Sequence, residues 1–207
     1  MRRALIFLVA AAAALTGCGG GATNAEIAGG GVVKGDTVTV YSLVADPFGA
    51  GRDFVDGEKL ALADAGGRAG AVGVNFSSLD LGRTPRAAAQ VSRRAIADQQ
   101  IIAVVADATR VTVPLFNAAG ILQVAPGGDQ SLAAEPRMLP AGRPTVAPLD
   151  GGAAPTDLPA RFRGAFGRDP SPGAERGYRA MAGILSAIER AGAAGNSRAR
   201  VLDEYLG

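Results

Sequence analysis

The 207-residue chain contains no histidine and no tryptophan, and its one cysteine is Cys18. Without histidine it cannot build a Ser-His-Asp or Cys-His triad, and a single thiol forms neither an internal disulfide nor a cysteine-histidine metal site. There is no Gly-x-x-x-x-Gly-Lys-Ser/Thr loop for a nucleotide and no Gly-x-Ser-x-Gly elbow. The aspartates Asp36, Asp46, Asp80 and Asp107 follow no spacing that requires a catalytic pair. The chain is therefore expected to be no enzyme and to carry no cofactor and no metal. Lysine is also scarce, with Lys34 and Lys59 alone, and aromatics make up only 5% of residues.

What is present begins with a leader. Arg2 and Arg3 precede the apolar run Ala4 to Leu15 (ALIFLVAAAAAL), and small residues Thr16 and Gly17 lead into Cys18. That is the layout of a secretory signal peptide over 1–17. As a helix the apolar run reaches only about 18 Å, short of a bilayer's hydrocarbon core of about 30 Å. The tetrad Leu15-Thr16-Gly17-Cys18 resembles a bacterial lipobox, in which the cysteine is acylated and becomes the new N-terminus. The resemblance implies an exported protein, anchored through lipid on Cys18 to the extracytoplasmic side of the bacterial membrane. Acyl chains contribute about 0.8 kcal/mol per buried CH₂, so several chains hold stably where one does not. The Gly-rich stretch that follows reads as a tether over 18–35.

Removing the leader takes away two arginines, so 21 basic residues against 19 acidic become nineteen against nineteen. The basicity belongs to the leader, and no nucleic-acid surface is expected.

The remainder, 36–207, suits one domain. Thr37 to Val44 (TVTVYSLV) is rich in β-branched residues, and Arg52 to Ala65 carries Phe54, Val55, Leu60, Ala61 and Leu62 near helical spacing before Gly66-Gly67. Val72 to Leu79 reads as a second strand. Thr84 as cap and Pro85 in the first turn open a helix to about Asp98. Ile101 to Ala106 (IIAVVA) is a strand covered on both faces, Thr112 to Ala119 a helix ended by Gly120, and Ile121 to Ala125 a further strand. The alternation predicts a parallel α/β sheet of flavodoxin-like type with helices on both faces. Ser171 as cap, Pro172, and Tyr178, Met181, Leu185 and Ile188 along one face predict a late helix stopped by Gly192.

The order VTVYSLVADPFG, GEKLALADAGGRAGAVGVNFSSLDLGRTPRAAA, IADQQIIAVVADAT and PLFNAAGILQVAP resembles the N-terminal lobe of the type I periplasmic solute-binding proteins, the leucine/isoleucine/valine-binding group. Its marks are the Gly57-x-x-x-Ala61 step, Asp80, a Pro-started helix and the Ile121 turn. Arg161 to Gly192 resembles that family's return helix. The resemblance implies a binding protein of an ABC uptake system, with a permease as partner and a small polar solute such as an amino acid as ligand.

Family members are nearly twice this length, with a second lobe inserted after the fourth strand. Here 127–159 is a single Pro/Gly-rich stretch in which Val146 offers one short strand, and 160–207 supplies the returning helices. A single lobe is expected, offering half a site. In the family, loop hydroxyls and N–H groups after the third and fourth strands hold the solute. Here those loops are Asp107-Ala108-Thr109-Arg110 and Ala125-Pro126-Gly127-Gly128.

Each candidate has two readings. Thr109 is a ligand hydroxyl or a helix cap, and Arg110 an anion partner or a solvated charge. Asp107 takes an ammonium group or bonds local backbone, and Gly127 and Gly128 present N–H groups or simply turn. Asp46 and Phe48, in Asp46-Pro47-Phe48-Gly49, contact ligand or form a tight turn. The alternative function is a lobe without solute, serving as an envelope interaction or scaffold module, with a homodimer as one way to complete the cleft.

Replacing the thiol tests the leader: Cys18→Ser is expected to release the protein from the membrane fraction or leave it unprocessed. Unchanged retention and mass would rule lipidation out.

Overall fold

A computed structural model describes residues 31–207; the leader, Cys18 and most of the Gly-rich stretch lie outside the described residues. Six strands and six helices are described: β1 Thr37–Val44, α1 Arg52–Asp64, β2 Arg68–Ala69, β3 Val72–Asp80, α2 Pro85–Ile96, β4 Ile101–Ala106, α3 Thr112–Ala118, β5 Leu122–Ala125, β6 Val146–Pro148, α4 Leu158–Phe166, α5 Pro172–Ala191 and α6 Arg198–Leu206. The sheet order is β2-β3-β1-β4-β5-β6, parallel except for the two-residue β2. This is the α/β arrangement expected from the alternation.

Strand chemistry explains the layering. Val38, Val40 and Ser42 of β1 face one side and Tyr41 and Leu43 the other, so the strand is covered twice. On the first face α1, α5 and α6 bury Phe54, Ala61, Met181, Ile184, Ile188 and Leu202 against Val38, Val40, Ile102 and Val124. On the second, α2 and α3 bury Ala88, Ala95 and Phe116 against Leu43, Ile101 and Val104.

The helix signals mostly act as read. The Thr84 hydroxyl accepts from the Ala87 N–H at 3.2 Å, and α5 stops at Gly192 with φ of 58°. Ser171 occupies the cap position of α5, but its hydroxyl makes no capping bond. Instead its own N–H donates to the Asp53 carboxylate of α1 at 2.9 Å.

Sequence 127–159 folds into the lobe rather than merely bridging it. Short 3₁₀ turns at Gln130–Ala134 and Pro136–Met138 bury Leu132 and lead to β6, which pairs in parallel with β5. The core also begins earlier than position 36. Val33 is buried and its N–H donates to the Asn196 carbonyl at 2.8 Å, while Val32 bridges to Ser197.

α1 and α5 cross backbone to backbone. A methyl on Gly57 would overlap the Ala174 carbonyl oxygen, and one on Gly177 would overlap that of Phe54. Arg168 clamps the same helix pair, donating to Asp53 at 2.5 Å and to Asp56 at 2.7 Å while lying over the Phe162 and Phe166 rings at 5.1 and 5.6 Å. Burial alone would raise the Asp53 carboxyl, but hydrogen bonds from Ser171 and Arg168, with the Arg168 charge, hold it below the usual range.

Glycine-to-alanine pairs separate this contact from helix propensity. Gly177→Ala is expected to destabilise by about 1–3 kcal/mol in urea denaturation. Gly164→Ala in α4, where a methyl meets open space, should be neutral or stabilising by about 0.5–1 kcal/mol. Equal effects would mean that the helix crossing tolerates a side chain.

Candidate functional site

The strand order places β1 beside β4, and the chain leaves these two in opposite directions, β1 toward β3 and β4 toward β5. In an open parallel sheet the crevice outside the carboxyl ends of such a pair is where ligands sit. The loops there are Ala45 to Gly51 after β1 and Asp107 to Val111 after β4, with Pro126 to Asp129 after β5 alongside.

The loop after β1 is a self-bonded turn. Asp46 adopts φ of 54°, the single left-handed non-glycine position among the described residues. Its carbonyl accepts from Gly49 and Gly51, its carboxylate from the Ala50 N–H at 3.1 Å, and its N–H donates to Asp80 at 3.2 Å. Asp80 also accepts from Gly82 at 2.8 Å, so one carboxylate ties the ends of β1 and β3. Phe48 projects from this turn with 86% of its surface exposed. It borders a cleft of about 350 Å³ shared with Arg52, Lys59 and Ser78.

The loops after β4 and β5 are joined to each other. Ala108 donates to the Gly127 carbonyl at 2.9 Å and its carbonyl accepts from Asp129 at 2.8 Å. Gly128, with φ of 86°, lies so close that a side chain would overlap Ala108 backbone. Gln123, buried on β5, donates its amide to the Ala106 and Asp107 carbonyls, each at 3.0 Å, and to the Thr112 hydroxyl at 3.1 Å.

This network consumes several candidate groups. The Thr109 hydroxyl accepts from the Val111 and Thr112 N–H groups at 3.2 and 3.1 Å, which is the capping arrangement at the start of α3. Arg110 pairs with Glu135 at 3.4 Å, a carboxylate it shares with Arg137. Asp107 spends its carbonyl on Thr112 and Gln123, while the residue stays exposed.

The structure adds a residue that sequence reading did not single out. Arg176, in the first turns of α5, donates to the Pro126 carbonyl. A methyl placed on Gly127 would lie 2.9 Å from the Asp107 carboxylate and 3.8 Å from the Arg176 guanidinium. The absence of a side chain at Gly127 thus lets the Asp107 carboxylate lie close over its backbone on the side where Arg176 approaches, while Phe48 stands on the separate β1–α1 loop. Arg176 gave no local signal, because only the docking of α5 on α1 carries it to this edge.

Beneath the edge lies Glu58 of α1, fully buried with neither carboxylate oxygen hydrogen-bonded. Burial pushes its carboxyl well above the ordinary value; the neighbouring Ser42 hydroxyl and the Lys59 charge only partly oppose this. The sequence did hold this signal, since Glu58 falls on the Phe54–Ala61 apolar stripe.

No protein-family model and no curated protein sequence matches the chain. Solved structures do. LivJ from Streptococcus pneumoniae, a branched-chain amino acid transporter substrate-binding protein in complex with isoleucine, aligns with a TM-score of 0.59 at 11% identity, covering 82% of this chain and 87% of that one. The leucine-binding protein LivK from Thermotoga maritima aligns at 0.59 and 12%, covering 81% and 87%. An ABC transporter solute-binding protein from Rhodopseudomonas palustris BisB5, in complex with 3,4-dihydroxybenzoic acid, aligns at 0.61 and 11%, covering 83% and 84%. The chain has the α/β fold of the type I periplasmic binding proteins, present here as one lobe among the described residues.

The buried carboxyl sets a pH dependence. Folded Glu58 keeps its proton above the ordinary value near 4.5, where the unfolded chain has released it. Stability therefore falls as pH rises from about 4.5 through the folded pKa, by up to about 1.4 kcal/mol per pH unit for one proton. Glu58→Gln should remove that slope in urea titrations from pH 5 upward, and parallel curves for the two proteins would refute the assignment.

Proposed function

We propose that this chain, built on a fold shared with ABC transporter solute-binding proteins, binds a small polar solute such as an amino acid at the carboxyl edge of β1 and β4. The observation that carries the reading is that two exposed groups of opposite charge, the Asp107 carboxylate and the Arg176 guanidinium, come together over Gly127 at this edge. Asp107 accepts an ammonium group and Arg176 donates to a carboxylate, and the exposed Phe48 ring on the β1–α1 loop is the apolar group of the same edge. Thr109, Arg110 and Gly128 fix the loops of this edge, and Asp46 sets the turn that presents Phe48. The lipobox resemblance supports a position on the outer side of the bacterial membrane, held by lipid on Cys18, with an ABC permease as the partner.

A second reading has its own support. The loop hydroxyls after β4 are engaged with local backbone, and Ala125 to Gly128 contribute none. On that reading the lobe carries no solute and works as an envelope interaction or scaffold module, with a second copy able to close the edge.

Thermal unfolding against amino acids, small amides, aromatic acids, short peptides and sugars separates the two. A solute at a hundred times its dissociation constant adds about 2.7 kcal/mol, or roughly 5 to 10 °C for a chain of this size. Asp107→Asn and Arg176→Gln should each abolish the shift while leaving the unliganded midpoint nearly unchanged. No shift with any solute class would favour the interaction module.

A further inference from the structure

We propose that the outward face of α2 is a docking surface for an anionic lipid bilayer. Arg83, Arg86, Arg93 and Arg94 are all exposed. Every other described arginine holds an ion pair or donates to a carbonyl oxygen. These four do neither among the described residues, so the free arginine charge of the lobe collects on one helix and the residue just before its cap.

Helical spacing gathers it further. At 100° per residue Arg86, Gln90, Arg93 and Arg94 fall within about a third of the circumference, opposite buried Ala88, Ser92 and Ala95. Arg86 and Arg93 lie two turns apart, about 10 Å along the axis. No acidic residue occurs from Leu81 to Ala97. Asp98, just beyond, already accepts from the Tyr41 hydroxyl at 3.0 Å and the Gln100 N–H at 2.8 Å.

Helix stability does not account for the pattern. Arg93 and Arg94 stand in the last turn, where a cation is favourable toward the helix dipole. Arg83 and Arg86 stand at the opposite end, where the dipole is positive and a cation is unfavourable. A cation line maintained at both ends calls for an extended anion across the whole face, and a charged lipid surface has that shape.

The bilayer is singled out over other anions by where the chain enters the fold. Val32 and Val33 join at Ser197 and Asn196, and the adjacent Arg198 donates to the carbonyl of Ile101, the first residue of β4. α2 runs into that same end of β4 through Asp98 to Gln100, so Arg93 and Arg94 lie toward the edge from which the N-terminal segment departs. The fourteen peptide units from Cys18 to Val32 span at most about 50 Å. This argument rests on the reading of Cys18 as a lipid anchor; the test supplies the anchor chemically and is independent of acylation in the cell.

The chain from Cys18 to Gly207 is coupled through its single thiol to a maleimide lipid, in vesicles of phosphatidylcholine alone or of equal phosphatidylcholine and phosphatidylglycerol. Phenylglyoxal modification is then timed at each arginine by peptide mass spectrometry. Arg86, Arg93 and Arg94 should react several-fold more slowly on the anionic vesicles, and the gap should close at high salt. Arg137 and Arg200 should react alike on both vesicle types.

An uncoupled Cys18→Ser chain provides the second measurement. Its sedimentation with anionic vesicles should fall at least ten-fold, at about 1 kcal/mol per arginine, when Arg86→Gln, Arg93→Gln and Arg94→Gln are combined. The combination Arg137→Gln, Arg163→Gln and Arg200→Gln should leave it unchanged. Equal modification rates on the two vesicle types would overturn the proposal. So would equal loss in the two triple variants, which would mean unspecific charge attraction.

Discussion

The contact between α1 and α5 is made backbone to backbone, with Gly57 and Gly177 each facing the other helix's carbonyls. Two helices at this separation have no room for intervening side chains, so their relative position is set by main-chain sterics rather than by adaptable packing. Much of the lobe follows from it. The contact holds Asp53 and Asp56 within reach of Arg168, lays Met181, Ile184 and Ile188 on the sheet, and brings Arg176 to the carboxyl end of β5. A segment more than a hundred residues downstream of β1 thereby supplies part of the edge that β1 begins.

Polar groups at that edge divide into those turned inward and those turned outward. Gln123 is buried and uses its amide hydrogens to fasten the start of the β4–α3 loop, while Asp80 fastens the β1–α1 loop. Buried amides and carboxylates stabilise best when their partners are fixed backbone groups. What remains free to meet another molecule is a short list: the Asp107 carboxylate, part of the Arg176 guanidinium, and the Phe48 ring. Glu58 is the exception on the inner side, a buried acid left without hydrogen bonds, whose pKa burial pushes well above the ordinary value.

Elements with strong local chemistry were legible in the sequence, some to the residue. β1 and β4 match their expected spans because each is a run of β-branched or apolar residues ending at a loop, and α2 starts at Pro85 behind its Thr84 cap. The two-residue β2 was not legible, since it follows from the glycine turns around it and has no periodicity of its own. The 3₁₀ turns in 127–159 were hidden by proline and glycine content, which signals a break but not what the broken chain packs against. At the candidate site, Asp107, Gly127 and Phe48 could be placed by strand order alone. Arg176 could not, because its position depends on a helix crossing that no local pattern encodes.

One edge of the sheet is only partly closed. β2 pairs with β3 at Val72 and Gly73, and Val74 donates to Gly67, but β3 continues to Asp80 with no strand on its outer side among the described residues. From Asn75 onward that side presents main-chain donors and acceptors in the extended form that templates strand addition. Asn75 and Asp80 bracket the segment with polar and charged side chains, the kind of residue that discourages such pairing. Placing β2 covers only the start of β3, so along the rest of this flank it is the charge of Asp80 and the amide of Asn75, not strand pairing, that keeps a second chain from adding on.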